Sequence, residues 1–263
     1  MPQSDMAPLL VSALGLGLRE HVAIVGGGGK TSLCFALAEE LQRAGRRVIT
    51  TTTTKVWQTE AERAPGVVFS PFGSPPFTRL KEDLREKEHV FLAQRPLDSG
   101  KVEGISRETA DAFFHDLKPD YLIVEADGAA GRPVKAPASH EPVIPSSATL
   151  VIAMAGLEAI GMPVNQEVVF RSQLFEEITG LAEGEPITMT ALAKVFQSPQ
   201  GPFKGSPHAA RRIVFLNKSD RLRRGLDAVE LIRRLVQNPQ APIERVIIGS
   251  LLKGIYQTHI RAG

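Results

Sequence analysis

The sequence predicts an α/β protein: a doubly wound, mainly parallel sheet in three α/β/α layers. Three observations carry that prediction. An apolar run, Val22 to Val25, leads into four glycines and then Lys30, Thr31 and Ser32 at the head of a helical pattern. Short apolar runs alternate with helix-length amphipathic segments along the whole chain. A further apolar run, Tyr121 to Val124, ends in Glu125, Ala126, Asp127 and Gly128.

Taken in order, Ala7 to Leu18 reads as a helix within a lead-in over residues 1–20, followed by the first strand at His21. The helix that starts at Thr31 runs to Gly45, a residue suited to the left-handed C-terminal position. Arg47 to Thr51 is β-branched and reads as a second strand, closing a βαβ unit with a right-handed crossover. Gly66–Phe69 and His89–Ala93 read as strands on either side of a charged helix, Thr78–Lys87. Pro71, Gly73, Pro75 and Pro76 mark a loop. Lys101–Ile105 is a short hairpin arm, and Ser106 caps a helix through Leu117. Later strands are Leu150–Met154, Ile213–Leu216 and Arg245–Ile248; later helices are Ser172–Thr179, Thr190–Phe196 and Leu226–Val236. No linker splits the chain, so residues 1–263 are expected to form one domain, with 128–145 as an inserted loop.

Composition excludes several function classes. A net charge of +2 gives no reason to invoke nucleic acid or a membrane surface as partner. The one cysteine, Cys34, rules out an intramolecular disulfide framework and falls on the apolar face of the post-loop helix. No apolar run reaches membrane-span length. Asp5 stands where a signal peptide would carry positive charge, so the sequence is read as cytoplasmic.

The chemistry starts at the glycines. Gly26, Gly27, Gly28 and Gly29 let backbone N–H groups approach an anion without Cβ clash, and the helix start adds a favourable dipole. Lys30 is placed to reach nucleotide phosphates, and Thr31 to hold Mg²⁺, with Ser32 beside it. The full GxxxxGK[ST] pattern lacks its first glycine, because Ile24 occupies that position. What remains is similar to the GGxGKT loop of the ParA/nitrogenase-iron-protein/GTPase superfamily, with Val25 where many of its ATPases carry a signature lysine. The architecture implied is that of a P-loop NTPase. The polar end of the second strand, Thr52, Thr53, Thr54 and Lys55, falls at the carboxyl edge of the sheet, where Lys55 could stand in for that lysine. Glu125 and Asp127 read as an acidic strand tip, placed by strand alternation on one face to hold or orient a Mg²⁺-bound water. Asn217-Lys218-Ser219-Asp220 follows the apolar strand RRIVFL as an NKxD element. The Asp220 carboxylate suits the N1–H and N2 amine of guanine, which adenine lacks. Gly249-Ser250 is a candidate loop closing over the base. The nucleotide is therefore read as GTP, or ATP if the NKxD element is fortuitous.

One segment goes further: Glu125-Ala126-Asp127-Gly128, then Arg132, Lys135 and the run His140-Glu141-Pro142-Val143-Ile144-Pro145. Together with GGGGKT, the threonine run, GLEAIGMP and VFLNKSD, it resembles the YqeC-like family of selenium-dependent molybdenum hydroxylase accessory proteins, from about Gly26 to Asp220. The resemblance implies a P-loop nucleotide-binding fold and an association with maturing selenium-dependent molybdenum enzymes. It carries over to Lys30, Thr31, Glu125, Asp127, Lys135, His140 and Glu141. Arg132 and Lys135 fall where P-loop proteins place a segment sensitive to the γ-phosphate. His140 and Glu141 could transfer protons, ligate a metal, contact selenium or sulfur cargo, or simply make local hydrogen bonds in a loop stiffened by Pro133, Pro137, Pro142 and Pro145. Three functions follow from these residues: a Mg²⁺-dependent GTPase acting as a maturation factor, an ATP-dependent kinase or ligase activating a small acid or selenium species, and a docking module whose nucleotide is structural. ParA-like proteins dimerise across their nucleotide, which by analogy suggests a homodimer.

Overall fold

The computed structural model describes residues 9–70, 77–222, 228–238 and 242–261. Nine strands form the central sheet: β1 (Glu20–Gly26), β2 (Val48–Thr52), β3 (Val67–Phe69), β4 (His89–Ala93), β5 (Tyr121–Glu125), β6 (Leu150–Gly156), β7 (Arg211–Asn217), β8 (Arg245–Ser250) and β9 (Ile255–Ile260). Their spatial order is β9-β8-β7-β6-β1-β5-β2-β4-β3, parallel except for the antiparallel β8–β9 pair. β1 sits at the centre, where the chain order reverses direction across the sheet. In such sheets ligands bind beyond the carboxyl ends of the strands at that reversal.

Both faces of β1 are buried, and alternation divides the core. Val22 and Ile24 pack with Leu10 and Leu14 of α1 (Leu10–Leu14) and with Leu33, Leu37 and Leu41 of α2 (Lys30–Arg43). Ala23 and Val25 face the opposite layer. That layer includes α3 (Phe77–Lys87), α4 (Arg107–Leu117), α5 (Ser172–Thr179), α6 (Met189–Gln197) and α7 (Val229–Gln237). The doubly wound, mainly parallel, three-layer α/β/α architecture is as the alternation predicts.

Four differences have physical causes. β1 and β2 are not neighbours: β5 inserts between them, with Ile24 opposite Glu125 and Thr52 opposite the same residue. The first helix ends at Leu14 and not at Leu18, because Gly15 turns left-handed at φ 58° and its N–H bonds back to Ser12 and Val11; the expected start at Ala7 lies outside the described residues. The acidic strand stops at Glu125, so Asp127 reaches the site from beyond the strand end. β9 was not expected; its residues are exposed or half-buried and show no run of apolar side chains to announce a strand. The loop marked by Pro71 to Pro76 and the start of the helix placed at Leu226 lie outside the described residues.

Two small ribbons decorate the carboxyl edge. Lys55–Trp57, Lys101–Glu103 and Arg95–Pro96 form a three-stranded antiparallel piece, which contains the expected arm at Lys101. Val134–Lys135 pairs in parallel with Val169–Phe170, anchoring the inserted loop.

Candidate functional site

The glycine loop folds against β6 and the inserted segment. Gly26 and Gly28 have φ of 94° and 77°, and a Cβ on either would overlap backbone atoms of Met154 or of Ala155 and Gly156. Gly27 N–H donates to Met154 O at 3.0 Å and Gly28 N–H to Arg132 O at 3.0 Å, which fixes the loop from both sides. The first bond at the helix start is Leu33 N–H to Gly29 O. The amides of Gly29, Lys30, Thr31 and Ser32 therefore have no partner among the described residues and form an anion-binding helix terminus.

These amides open on a cavity of about 520 Å³ lined by the loop, Lys55, Trp57, Lys101, Glu125, Gly128 to Arg132 and Lys218. Lys30 is buried and folded back: Nζ donates to Gly26 O at 2.6 Å and lies 3.3 Å from Asp127 Oδ1 and 3.7 Å from Glu125 Oε1. Burial alone would lower the Lys30 pKa, but the two carboxylates more than offset it and the pKa is raised. Thr31 Oγ1 donates to Glu125 Oε2 at 2.9 Å. Burial raises the Glu125 pKa despite Lys30 and Thr31.

Asp127 is differently engaged. Both its oxygens accept the Gly26 N–H at 3.1 Å, and Oδ2 lies 3.0 Å from Lys135 Nζ. The Lys135 side chain is fully buried and reaches on to Glu141 Oε2 at 2.8 Å and Gly128 O at 2.5 Å. Arg171 pairs with the same Glu141 oxygen. Burial works to raise the Glu141 pKa, yet Arg171 and Lys135 hold it below the ordinary carboxylate range. The result is a continuous charge chain, Lys30–Asp127–Lys135–Glu141–Arg171, running from the phosphate loop into the inserted segment. Arg171 was not among the residues singled out from sequence; a lone arginine far along the chain gives no signal of its partner.

The NKxD element meets the loop directly. Asn217 Nδ2 donates to Gly28 O at 2.8 Å, and its Oδ1 accepts Leu251 N–H at 3.1 Å. Lys218 takes a left-handed φ of 61°, pairs with Glu158 and lines the cavity. Asp220 is exposed, and a hydrogen bond from Ser250 holds its carboxyl below the ordinary range. Gly249 and Ser250, expected as a loop, are instead the last two residues of β8, paired with Tyr256 and Ile255, and Ser250 lies beside Asp220.

Other predicted positions fall elsewhere. Lys55 lines the cavity, but the threonines face inward. Thr53 Oγ1 donates to Val143 O at 3.3 Å, and Thr52 Oγ1 to Glu125 O at 3.0 Å. They knit the end of β2 to the acidic strand and the inserted loop. His140 is exposed and does not line the cavity, while Arg132 does. Cys34 is buried, and burial pushes its thiol pKa up. Among the described residues no group of three or more His, Cys, Asp or Glu forms a metal cluster. Loop amides, Lys30, Thr31 and Glu125 are nonetheless the donor set that a Mg²⁺-nucleotide requires. No helix among the described residues is long and apolar enough to cross a membrane.

A phosphate-cradling glycine loop on the central strand, with an acidic strand beside it, defines a P-loop nucleotide-binding protein of the α/β class. The chain belongs to the YqeC family. The family model described as "YqeC protein" matches residues 22–173. The chain is 36% identical over 243 residues, covering 92% of either sequence, to "Uncharacterized protein YqeC" from Escherichia coli (strain K12). Among solved structures it is similar to chloroplast FtsY from Physcomitrella patens (13% identity, TM-score 0.44, covering 89% of this chain and 60% of that one). It is also similar to the signal recognition particle 54 kDa protein from Aeropyrum pernix K1 in complex with GDP (16% identity, TM-score 0.41, covering 92% and 44%). The chain therefore spans less than two thirds of either structure's length.

Proposed function

We propose that this protein binds GTP with Mg²⁺, hydrolyses it slowly, and acts as an accessory factor in the maturation of a selenium-dependent molybdenum hydroxylase. The observation that carries the guanine reading is the Asn217 side chain. It ties the NKxD turn to the phosphate loop, so Lys218 lines the same cavity as Lys30 and Thr31, and Asp220 follows two residues further along that turn. Asp220, ionised and bonded to Ser250, is suited to accept the two guanine N–H donors.

Lys30 leaves its carboxylate partners for the β- and γ-phosphates, and the free amides from Gly29 to Ser32 receive the phosphate oxygens. Mg²⁺, when bound, neutralises phosphate charge, and Thr31 and Glu125 are the side chains that hold it or its waters. Asp127 has both oxygens engaged by Gly26, Lys30 and Lys135, so it acts by positioning the loop and the lysine rather than as a direct metal ligand. Residues 128–145 serve as the nucleotide-sensitive segment: Arg132 O caps Gly28 N–H, and Lys135 and Glu141 continue the charge chain. The maturation role rests on family resemblance, and nucleotide state would time the delivery step.

The test is nucleotide selectivity of wild type and Asp220→Asn with Mg²⁺. The wild type prefers GTP over ATP by on the order of 100-fold, from two charge-assisted hydrogen bonds. The variant loses GTP and gains XTP, because asparagine offers an amide donor to the xanthine 2-carbonyl. Equal ATP binding that Asp220→Asn leaves unchanged overturns the guanine reading. For the maturation role, cells lacking the protein lose selenium-dependent hydroxylase activity, restored by wild type and not by Lys30→Ala; undiminished hydroxylase activity in those cells refutes it.

A further inference from the structure

A second cavity, of about 500 Å³, shares Ala130 and Arg132 with the nucleotide cavity and is lined further by Gln166, Phe170, Arg171 and Leu174. Its wall contains two arginines and no acid. Arg132 Nε donates to Gln166 O at 2.7 Å and Nη1 to Ala130 O at 3.0 Å, which fixes the guanidinium plane. Its Nη2 has no partner among the described residues. Arg171 uses Nη1 on Glu141, leaving Nε and Nη2 without protein partners among the described residues. The Arg171 guanidinium lies 4.7 Å from the centre of the Phe170 ring, and Lys135 Nζ lies 5.5 Å from the same ring.

Fixed guanidiniums with spare donors are the groups that recognise an oxyanion, and their planar forks match phosphate and carboxylate alike. Phe170 and Leu174 add an apolar surface that a bare inorganic ion would not use. We propose that this cavity is a second ligand site, for a small organic molecule carrying a phosphate or carboxylate on a planar or apolar body. The proposal goes beyond nucleotide binding and does not depend on it. Its position does give it a consequence: Arg132 O accepts the Gly28 N–H at 3.0 Å, so the wall between the two sites is also the backstop of the phosphate loop. An anion on Arg171 also competes with Glu141, the far end of the charge chain that reaches Lys30.

Ligand-observed NMR on the full chain tests this, with phenyl phosphate and benzoate as probes, each with and without saturating Mg²⁺-GDP. At least one probe binds saturably and stays bound when GDP is present, and the stronger of the two identifies the anion. Arg171→Gln weakens that probe about tenfold, the equivalent of one charge-assisted hydrogen bond. Because Arg171→Gln also unpairs Glu141, Leu174→Glu serves as a second variant. It puts a carboxylate in the cavity while keeping Arg171 and Glu141 themselves, and weakens the probe at least as much. The proposal is overturned if neither probe binds, if GDP displaces the probe (which then sat on the phosphate loop), or if both folded variants bind it as wild type does. Failure of GDP itself to bind concerns the nucleotide reading alone, since the arms without GDP still decide this one.

Discussion

The Asn217 side chain bonds the phosphate loop and the strand-end loop at once, giving its amide nitrogen to Gly28 O and its amide oxygen to Leu251 N–H. Asn217 and Gly28 are buried, so the Gly28 carbonyl is left without this partner in a buried setting if the amide is removed. Asn217→Ala should weaken nucleotide binding about tenfold or more, because it frees the loop and the NKxD turn to move separately. Trp57 is the only tryptophan in the chain and lines the nucleotide cavity half-exposed, so its emission reports binding directly. Unchanged titration midpoints in Asn217→Ala would show that the bridge does not organise the site.

Lys135 predicts a stability effect instead. Its ammonium is fully buried between Asp127 and Glu141, and neutralising it leaves Asp127 with Lys30 and Glu141 with Arg171 as their remaining cationic partners. Lys135→Met should cost up to about 3 kcal/mol in urea unfolding, the low end of the range for breaking a buried pair from one side, because each carboxylate keeps one cation. Adding Glu141→Gln to it should cost less than the two single losses summed, because the Lys135–Glu141 pair is already broken in Lys135→Met. Purely additive losses would mean that Lys135 and Glu141 are not coupled.

The comparison of sequence with structure turns on which signals are local. The glycine loop, the Ser106 cap with its bond from Thr109 N–H, and the Ser172–Thr179 helix are set within a few residues, and they form where the sequence places them. The apolar strands were also legible, because a buried parallel strand is apolar on both faces. Their spatial order was not: β5 enters between β1 and β2 by pairing across a long stretch of chain, which no local pattern encodes. Glu125 and Asp127 were read as sharing one strand face toward Mg²⁺; the strand ends at Glu125, and both carboxylates instead lie against Lys30, a pairing that strand alternation does not encode. The threonine run looked like a ligand-facing edge, and its hydroxyls instead satisfy carbonyls of neighbouring segments. Arg171 lay hidden because its partner, Glu141, is 30 residues away.

The two buried histidines predict how stability depends on pH. Burial holds the pKa of His21 at about 4, with Asp111 opposing weakly, and burial likewise holds His89 at about 4. His21 Nδ1 meets Ser147 Oγ at 2.8 Å, and His89 Nε2 meets Thr50 Oγ1 at 3.0 Å, both contacts that a neutral ring makes. In the unfolded chain each ring titrates near 6.5. Between those values the unfolded state takes up protons that the folded state refuses. Their contribution is therefore complete above about pH 6.5 and is lost as pH falls toward 4, at up to about 1.4 kcal/mol per pH unit for each ring. Urea midpoints measured from pH 7 down to pH 5 should fall steeply in wild type. They should fall less steeply in His21→Asn/His89→Gln, whatever that variant's absolute stability. Glu125, whose pKa is raised, works in the opposite sense but is present in both proteins and cancels in the difference. Equal slopes would mean that both rings titrate normally in the folded protein and that their burial is incomplete in solution.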